Sequence, residues 1–321
     1  MNPRTDGRAG GSRVRTVFFG SGGFGREALR RLAVHPDVEL VGVVTAPQRP
    51  TGRKQQLTPS VIDGVARDLG ISPILRPERL RDEASTAAVL AGEPALIVLA
   101  DYGQIVPPPL LALPFGALNL HPSLLPRHRG ATPIPAAILA DDRETGITLM
   151  RMDAGLDTGP IVAQERVALD GTETAPRLEA HLERVAADLL DRSLRPWIRS
   201  ELVPRPQDED AATMTRPLRR GDGRLDPSRH AADLWRQVRA YQPWPGSFIE
   251  TDQGRLVVLE SSVGAPADRP AGSIGPLGLA AADRELLLHV VQPAGGKSMS
   301  WEAFLRGHPG IVGSAALRSD A

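Results

Sequence analysis

The sequence predicts an α/β protein in which a doubly wound, mostly parallel sheet is followed by a small C-terminal β-barrel domain. Apolar, β-branched runs alternate with helical patterns over the first 200 residues, as in sheets built from βαβ units. A Pro-rich, charged segment at residues 201–227 then interrupts this composition. Beyond it, short strand patterns are separated by Gly and Pro turns, which is typical of a small barrel.

Length favours two domains, because 321 residues exceed the usual size of one. The predicted organisation is a flexible tail, a larger N-terminal domain, a linker, a small barrel domain, and a second tail. These parts are predicted at residues 1–13, 14–199, 200–227, 228–312 and 313–321.

Charge and cysteine content exclude several classes of protein. The net charge is zero, so RNA contact would require local basic patches. The absence of cysteine excludes disulfides, thiol catalysis and Cys-ligated zinc. The N-terminus lacks the apolar core of a secretory signal, and the longest apolar runs, such as residues 95–100, are too short to cross a bilayer. We expect a cytoplasmic monomer without membrane contact.

The first elements form half of a βαβ unit. The β-branched and aromatic run Val14–Phe19 stops at a glycine turn, residues 20–25, and residues 27–32 have a helical pattern. The turn matches G-x-G-x-x-G, which makes an NAD-dependent dehydrogenase a serious alternative. The next strand, residues 39–44, runs into Thr45-Ala46 and lacks the acidic residue that binds the ribose of NAD. We therefore interpret the glycines as a tight turn and predict no NAD.

A polar segment, residues 47–58, follows the second strand. It is too long and too basic for a minimal connection to a helix, and it carries Arg49, Arg53 and Lys54. Composition favours a solvated surface loop, and the alternative is an arm that binds phosphate groups.

The remaining elements continue the alternation. Residues 95–100 are apolar throughout, as in a strand buried on both faces of a parallel sheet. Further strands are predicted at residues 73–75, 115–120, 144–152 and 161–167, and helices at residues 59–69, 82–91, 132–139 and 175–198. In the second domain we expect a helix at residues 230–241 and strands at residues 246–250, 256–260, 272–274 and 286–292.

Polar side chains follow the central strands of the predicted sheet. Ligands bind at the carboxyl ends of such strands, which is where Tyr102, Asn119 and His121 fall. Asn119 and His121 share one face because side chains alternate along an extended segment. An amide can hold a developing oxyanion while an imidazole moves a proton. A loop flanked by two glycines returns Asp157 to the same end of the sheet.

Three stretches carry a resemblance to a known family. They are Asn119-Leu120-His121, Ser123-Leu124-Leu125-Pro126-Arg127-His128-Arg129-Gly130 and Gly155-Leu156-Asp157-Thr158-Gly159. Together they resemble the 10-formyltetrahydrofolate-dependent formyltransferases, and the resemblance extends over residues 14–311. It implies a Rossmann-like catalytic domain and an OB-like barrel.

Within this family the sequence is most similar to the members that formylate initiator methionyl-tRNA in translation initiation. Four further stretches carry that similarity: Arg49-Pro50-Thr51-Gly52-Arg53, Asp222-Gly223-Arg224-Leu225-Asp226, Pro243-Trp244-Pro245-Gly246-Ser247 and Gln292-Pro293-Ala294-Gly295-Gly296-Lys297-Ser298-Met299-Ser300. The last three lie outside the catalytic domain that the family shares, residues 14–199, so they favour this particular substrate. The resemblance implies that the barrel domain, residues 228–312, contacts the tRNA.

The resemblance implies a role for each candidate residue. Asn119, His121 and Asp157 correspond to the family's catalytic residues, and 10-formyltetrahydrofolate is the formyl donor, with no metal. The segment that lines the folate pocket is Ser123, Leu124, Leu125 and Pro126, with Tyr102 as a further wall residue.

For the tRNA, the candidate phosphate contacts are basic, since Arg can bind two oxygens at once. They are Arg49, Arg53, Lys54, Arg216, Arg219 and Arg220. Two alternatives besides the dehydrogenase stay open: a formyltransferase that acts on a sugar nucleotide or another small amine, and an RNA-binding module without catalytic activity.

Overall fold

The computed structural model describes residues 13–51 and 56–317. Arg53 and Lys54, residues 1–12 of the predicted first tail and residues 318–321 of the predicted second tail lie outside the described residues. Residues 313–317 of the second tail are described, and Ala315 forms a bridge with Ser273. The strands are β1 (Val14–Phe19), β2 (Val38–Val44), β3 (Arg49–Thr51), β4 (Gln56–Thr58), β5 (Ile74–Leu75), β6 (Leu96–Leu99), β7 (Ala117–His121), β8 (Arg129–Gly130), β9 (Glu144–Arg151), β10 (Ile161–Ala168), β11 (Met214–Thr215), β12 (Ser247–Thr251), β13 (Gly254–Pro266), β14 (Gly278–Ala280), β15 (Arg284–Pro293) and β16 (Met299–Ser300). The α-helices are α1 (Arg26–Val34), α2 (Val61–Asp68), α3 (Glu83–Leu90), α4 (Pro108–Leu111), α5 (Pro133–Leu139), α6 (Ala175–Ile198), α7 (Ala231–Ala240) and α8 (Trp301–Gly307).

The chain divides into two compact units whose residues alternate along the sequence. The first consists of the residues up to Arg129, Thr145–Val167 and Ala180–Met214. The second consists of Gly130–Glu144, Ala168–Glu179 and the residues from Thr215 onward.

The first unit is built on a seven-stranded sheet in the order β10-β9-β7-β6-β1-β2-β5. The pairs from β7 through β5 are parallel, and β9 is antiparallel to β7. Strands β6 and β7 are buried along their whole length, as expected for central strands that helices cover on both faces. The predicted doubly wound, mostly parallel sheet is therefore confirmed.

The turn after β1 shows why glycine is needed there. A 3₁₀ turn at Gly23–Gly25 leads directly into α1. A Cβ atom on Gly20 would lie 2.7 Å from the carbonyl oxygen of Ala100, at the end of the neighbouring strand. The turn therefore packs closely against β6, in agreement with its interpretation as a tight connection.

The second unit contains an antiparallel sheet in the order β12-β13-β15-β14, with β16 paired to β15. Helix α7 packs on β13 and β15, where Leu234 and Val238 join buried side chains such as Leu256 and Leu286. The predicted antiparallel strands of the C-terminal domain are confirmed, but β13 and β15 have 13 and 10 residues and are longer than predicted.

Several elements differ from the prediction. In the polar segment 47–58, the described residues Arg49–Thr51 and Gln56–Thr58 pair as the antiparallel strands β3 and β4, where the sequence predicts a plain loop. Residues 272–274 make only isolated bridges, Ser273 with Ala315 and Ile274 with Leu279, and the strand lies at β14. The short helices α4 and α8, of four and seven residues, were not predicted. Among the described residues, no helix is both long and apolar enough to span a bilayer.

Candidate active site

Two of the predicted site residues lie on the central strand β7. Asn119 is 7% exposed and His121 is 4% exposed. Asn119 lies between Leu99 of β6 and Met150 of β9, which fixes its backbone from both sides. The amide and the imidazole are therefore held at the carboxyl end of a buried strand, as the sequence predicts.

The imidazole of His121 has one nitrogen already engaged. Its Nε2 lies 2.9 Å from the backbone oxygen of His128. A carbonyl oxygen only accepts hydrogen bonds, so Nε2 must carry a hydrogen and donate it. The other nitrogen, Nδ1, lies 3.7 Å from Oδ2 of Asp157. Nδ1 is thus the atom of this ring that can gain or lose a proton.

The pKa of His121 reflects two opposing causes. Burial is the larger and lowers the pKa below its ordinary value, because a charged imidazolium is poorly solvated there. The negative charge of Asp157 acts in the opposite direction and raises the pKa. At neutral pH the ring is therefore neutral, with a lone pair on Nδ1, and Asp157 is placed to stabilise the charged form when a proton arrives.

The loop that carries Asp157 is fixed internally. Oδ1 of Asp153 accepts hydrogen bonds from the backbone N–H of Gly155 at 3.0 Å and from the hydroxyl of Thr158 at 2.7 Å. A Cβ atom on Gly159 would lie 1.9 Å from the carbonyl oxygen of Arg151. Asp157 itself has a φ of +53°, which is uncommon for a residue other than glycine.

Sequence reasoning missed a second layer of contacts behind Asp157. The side-chain amide of Gln207 donates to the carbonyl oxygens of Asp157 and Gly159, at 2.7 Å each. The guanidinium of Arg129 donates to Gln207 and also to the carboxylate of Glu209. Gln207 and Glu209 lie in a Pro-rich stretch without periodicity, and no local sequence pattern places that stretch beside the site.

The predicted folate segment is firmly attached to the sheet. Ser123 is wholly buried, and its hydroxyl donates to the backbone oxygen of Arg127 at 2.6 Å. The backbone N–H of Leu125 donates to the hydroxyl of Thr148 at 3.0 Å, whereas the side chains of Leu124 and Pro126 are half-buried. The segment therefore has a fixed backbone, and the Ser123 hydroxyl is used within it.

Tyr102 lies at the end of the neighbouring strand. Its ring contacts Phe19 edge-on, with the centroids 5.3 Å apart. Burial raises the pKa of its phenol to about 12, so the hydroxyl stays protonated at neutral pH. Among the residues that the structure describes, none forms a hydrogen bond with this buried hydroxyl.

The predicted tRNA contacts that the structure describes are on the surface. Arg49 forms an ion pair with Glu78 at 3.1 Å, and both side chains are largely exposed. Arg216 binds both carboxylate oxygens of Asp222, whose pKa falls to about 2, chiefly because of this hydrogen-bonded arginine. Arg219 and Arg220 are exposed. Within residues 13–51 and 56–317, no group of three or more His, Asp or Glu side chains is arranged to hold a metal ion.

Comparison with known proteins assigns the family. Residues 14–194 match the family described as formyl transferase, and residues 217–309 match the formyl transferase C-terminal domain. The chain is 41% identical over 304 residues to a methionyl-tRNA formyltransferase of Chloroflexus aurantiacus, covering 92% of this chain and 97% of that one. It is 40% identical over 302 residues to the methionyl-tRNA formyltransferase of Bacillus pumilus, covering 92% of this chain and 95% of that one.

Solved structures share the fold. WlaRD, a sugar 3N-formyl transferase whose structure contains dTDP and 5-N-formyl-THF, matches with a TM-score of 0.61 at 16% identity, covering 87% of this chain and 98% of that one. HypX from Aquifex aeolicus in complex with tetrahydrofolic acid matches with a TM-score of 0.62 at 14% identity, covering 92% of this chain and 47% of that one. This chain thus spans about half the length of the HypX chains that it matches.

The sequence relatives extend over nearly the whole chain, and the two family models together cover residues 14–194 and 217–309. The chain therefore belongs to the formyl transferase family, and within it to the methionyl-tRNA formyltransferases.

Proposed function

We propose that this enzyme transfers the formyl group of 10-formyltetrahydrofolate to the α-amine of methionine carried by initiator tRNA, in translation initiation. The observation that supports this most is the arrangement of Asn119, His121 and Asp157 at one end of a buried sheet. A hydrogen-bond donor, a neutral imidazole and a carboxylate are the groups that acyl transfer to an amine requires. The methionyl-tRNA formyltransferases that are similar to this chain align with 92% of its length.

Asn119 is proposed as the oxyanion donor. Attack of the neutral amine on the formyl carbon makes a tetrahedral species whose oxygen becomes negative. Asn119 is 7% exposed, and its side-chain amide makes no hydrogen bond to another of the residues that the structure describes. Its N–H groups can therefore donate to the developing charge, which is stabilised most in a site that excludes water.

His121 is proposed to move the proton. The attacking nitrogen must lose a proton, and the leaving nitrogen of the folate must gain one. Because Nε2 is engaged by the backbone of His128, the proton passes through Nδ1. The lowered pKa keeps Nδ1 free to accept at neutral pH, and Asp157 stabilises the imidazolium while it exists.

The folate supplies the activated formyl group, and the chain's residues position it. We propose that residues 123–126 line its pocket, where the fixed backbone gives a rigid wall and the half-buried side chain of Leu124 gives apolar surface. Tyr102 fits a polar ligand, because its buried hydroxyl is protonated and has no hydrogen-bond partner among the described residues. For the tRNA phosphates we propose Arg49, and with it the arginines of residues 216–220.

The function is tested by following the transfer of a labelled formyl group. Purified protein is supplied with 10-formyltetrahydrofolate and either initiator methionyl-tRNA or a dTDP-linked amino sugar. We expect formyl-methionyl-tRNA to form and the sugar to remain unmodified. Formylation of the sugar alone would establish the other substrate class, and tRNA binding without transfer would establish an RNA-binding protein.

The close contact at Gly159 leads to a prediction about the loop. Gly159→Ala is expected to displace the Asp157 loop and to lower kcat, because the new methyl group would overlap the carbonyl of Arg151. The overlap should also lower the free energy of unfolding, by about 1–3 kcal/mol. Turnover assays and urea unfolding measure the two effects.

Gly64→Ala is the matched control for that substitution. Gly64 lies within α2, and a Cβ atom there would meet no other atom within 4 Å. We expect this variant to keep full activity and to gain about 0.5–1 kcal/mol of stability, because alanine favours helix more than glycine does. Equal activity in the two variants would contradict the proposed importance of the loop.

A further inference from the structure

We propose that Gln207 is a positioning residue of the reaction, which holds the Asp157 loop so that the carboxylate lies at the imidazole of His121. This inference rests on the proposed function, since it assigns Gln207 a role in the same site. Gln207 belongs to the segment that the sequence predicts as a linker, and it would contact neither the formyl group nor the amine.

The first observation is the pair of hydrogen bonds from one side-chain amide. Nε2 of Gln207 donates both of its hydrogens, to the carbonyl oxygens of Asp157 and Gly159. Both bonds measure 2.7 Å, at the short end of the normal range. Asp157 has the uncommon left-handed backbone, which costs about 1 kcal/mol or more and persists only where the surroundings hold it. The two hydrogen bonds from Gln207 can stabilise this backbone conformation.

The second observation fixes which way the amide faces. Arg129 is 3% exposed, and its Nε and Nη2 donate to Oε1 of Gln207 at 3.0 and 2.9 Å. A guanidinium has only donors, so the oxygen of Gln207 must face Arg129. The nitrogen then faces the two loop carbonyls, and the amide cannot rotate without losing four hydrogen bonds.

Glu209 completes this cluster. Its two carboxylate oxygens accept from Nη1 and Nη2 of Arg129 at 2.8 and 2.7 Å. This bidentate bond lowers the pKa of Glu209 and raises the pKa of Arg129. Each of the three nitrogens of the buried guanidinium therefore has a hydrogen-bond partner, and this fixes the orientation of the Gln207 amide.

The third observation joins the cluster to His121. Arg129 directly follows His128, whose backbone oxygen binds Nε2 of His121. His128 thus fixes the imidazole of His121, while Arg129 fixes Gln207, which binds the loop that carries Asp157. The distance from Nδ1 of His121 to Asp157 depends on this short chain of contacts.

Loss of Gln207 has a predictable direction. When the loop loosens, the Asp157 carboxylate spends less time beside His121, and the charge that raises the pKa of the imidazole is weakened. The pKa of His121 should therefore fall further in Gln207→Ala. We expect kcat to fall by about tenfold to a hundredfold, as is typical when a catalytic group is misplaced by about 1 Å. KM for the folate should change little.

The experiment compares Gln207→Ala and Gln207→Met with Gln237→Ala. Gln237 is the control in the second unit, because its amide also donates to two backbone oxygens and its oxygen also accepts from an arginine. It is buried, whereas Gln207 is half-buried, so loss of Gln237 is at least as severe a test of folding. The pKa of His121 is measured by NMR titration of the free protein, with the signal assigned by its absence in His121→Asn. Turnover is measured across pH for each folded variant.

We expect the His121 pKa to be lower in a Gln207 variant than in the wild-type protein, and the acid limb of kcat to shift to lower pH. Neither change is expected in Gln237→Ala. An unchanged His121 pKa in a folded Gln207 variant would overturn the inference. So would failure of both Gln207 variants to fold while Gln237→Ala folds, since that outcome shows a purely structural role. If the wild-type protein does not formylate methionyl-tRNA, the proposed function fails, and the NMR titration still decides the coupling of Gln207 to His121.

Discussion

His121→Ala is expected to slow formyl transfer by about 10²- to 10⁴-fold, the usual contribution of a positioned general acid or base. The variant removes Nδ1, the atom that lies 3.7 Å from Asp157 and that can accept the amine's proton. The burial of the ring predicts the pH dependence of the wild-type enzyme. Activity should fall as Nδ1 becomes protonated, and burial places this fall at a lower pH than the value of about 6.5 for a solvated histidine.

His181→Ala is the control for this experiment. His181 is exposed on α6, so its loss removes an imidazole without touching the site. Single-turnover rates across pH, with folding checked by circular dichroism, compare the two variants. Nearly full turnover in folded His121→Ala would defeat the proposed route of the proton.

Asn119→Ala is expected to lower kcat by about 10²- to 10³-fold, equivalent to about 2.7–4 kcal/mol of transition-state stabilisation. The physical reason is the loss of the N–H donor that we propose for the negative oxygen, from a side chain that is only 7% exposed. The effect should appear in kcat rather than in KM, because the negative oxygen exists only during the reaction.

Two further variants separate this effect from damage to the strand. Asn119→Asp keeps the size of the side chain but replaces the donor by an acceptor, so it should be at least as slow as Asn119→Ala. Leu120→Val removes one methylene from a buried neighbour on the same strand and should retain most of the activity. If Leu120→Val were as slow as Asn119→Ala, the loss would reflect packing and not the amide.

The sequence predicted the elements whose signal is local. The apolar runs of β1, β6 and β7 predicted the strands of the sheet. The two-residue spacing of Asn119 and His121 predicted that their side chains lie on one face of the strand. The approach of Asp157 to His121 is a contact between distant parts of the chain, which spacing alone does not encode. Resemblance to a family supplied it, and the structure places the two atoms 3.7 Å apart.

What the sequence did not predict depends on tertiary contacts. Gln207 follows a proline and has no periodic apolar neighbours, so its pattern is that of a connection. Its importance appears only when Thr213 pairs with the backbone on both sides of residues 127–128, bringing the segment against the site. Ser123 is a second example, because its hydroxyl binds Arg127, which a motif match cannot show.

Because the two units alternate along the sequence, the position of the junction matters when chimeras are made from two members of this family. The first unit extends to Met214, beyond the point where the composition changes. A chimera joined at residue 199 would take its glutamine at position 207 from the donor of the second part, while Arg129 and Asp157 would come from the other parent. A chimera that keeps Arg129, Asp157 and Gln207 from one parent should therefore be joined after Met214. Even then, residues 130–144 and 168–179, which belong to the second unit, would come from a different parent than the rest of that unit.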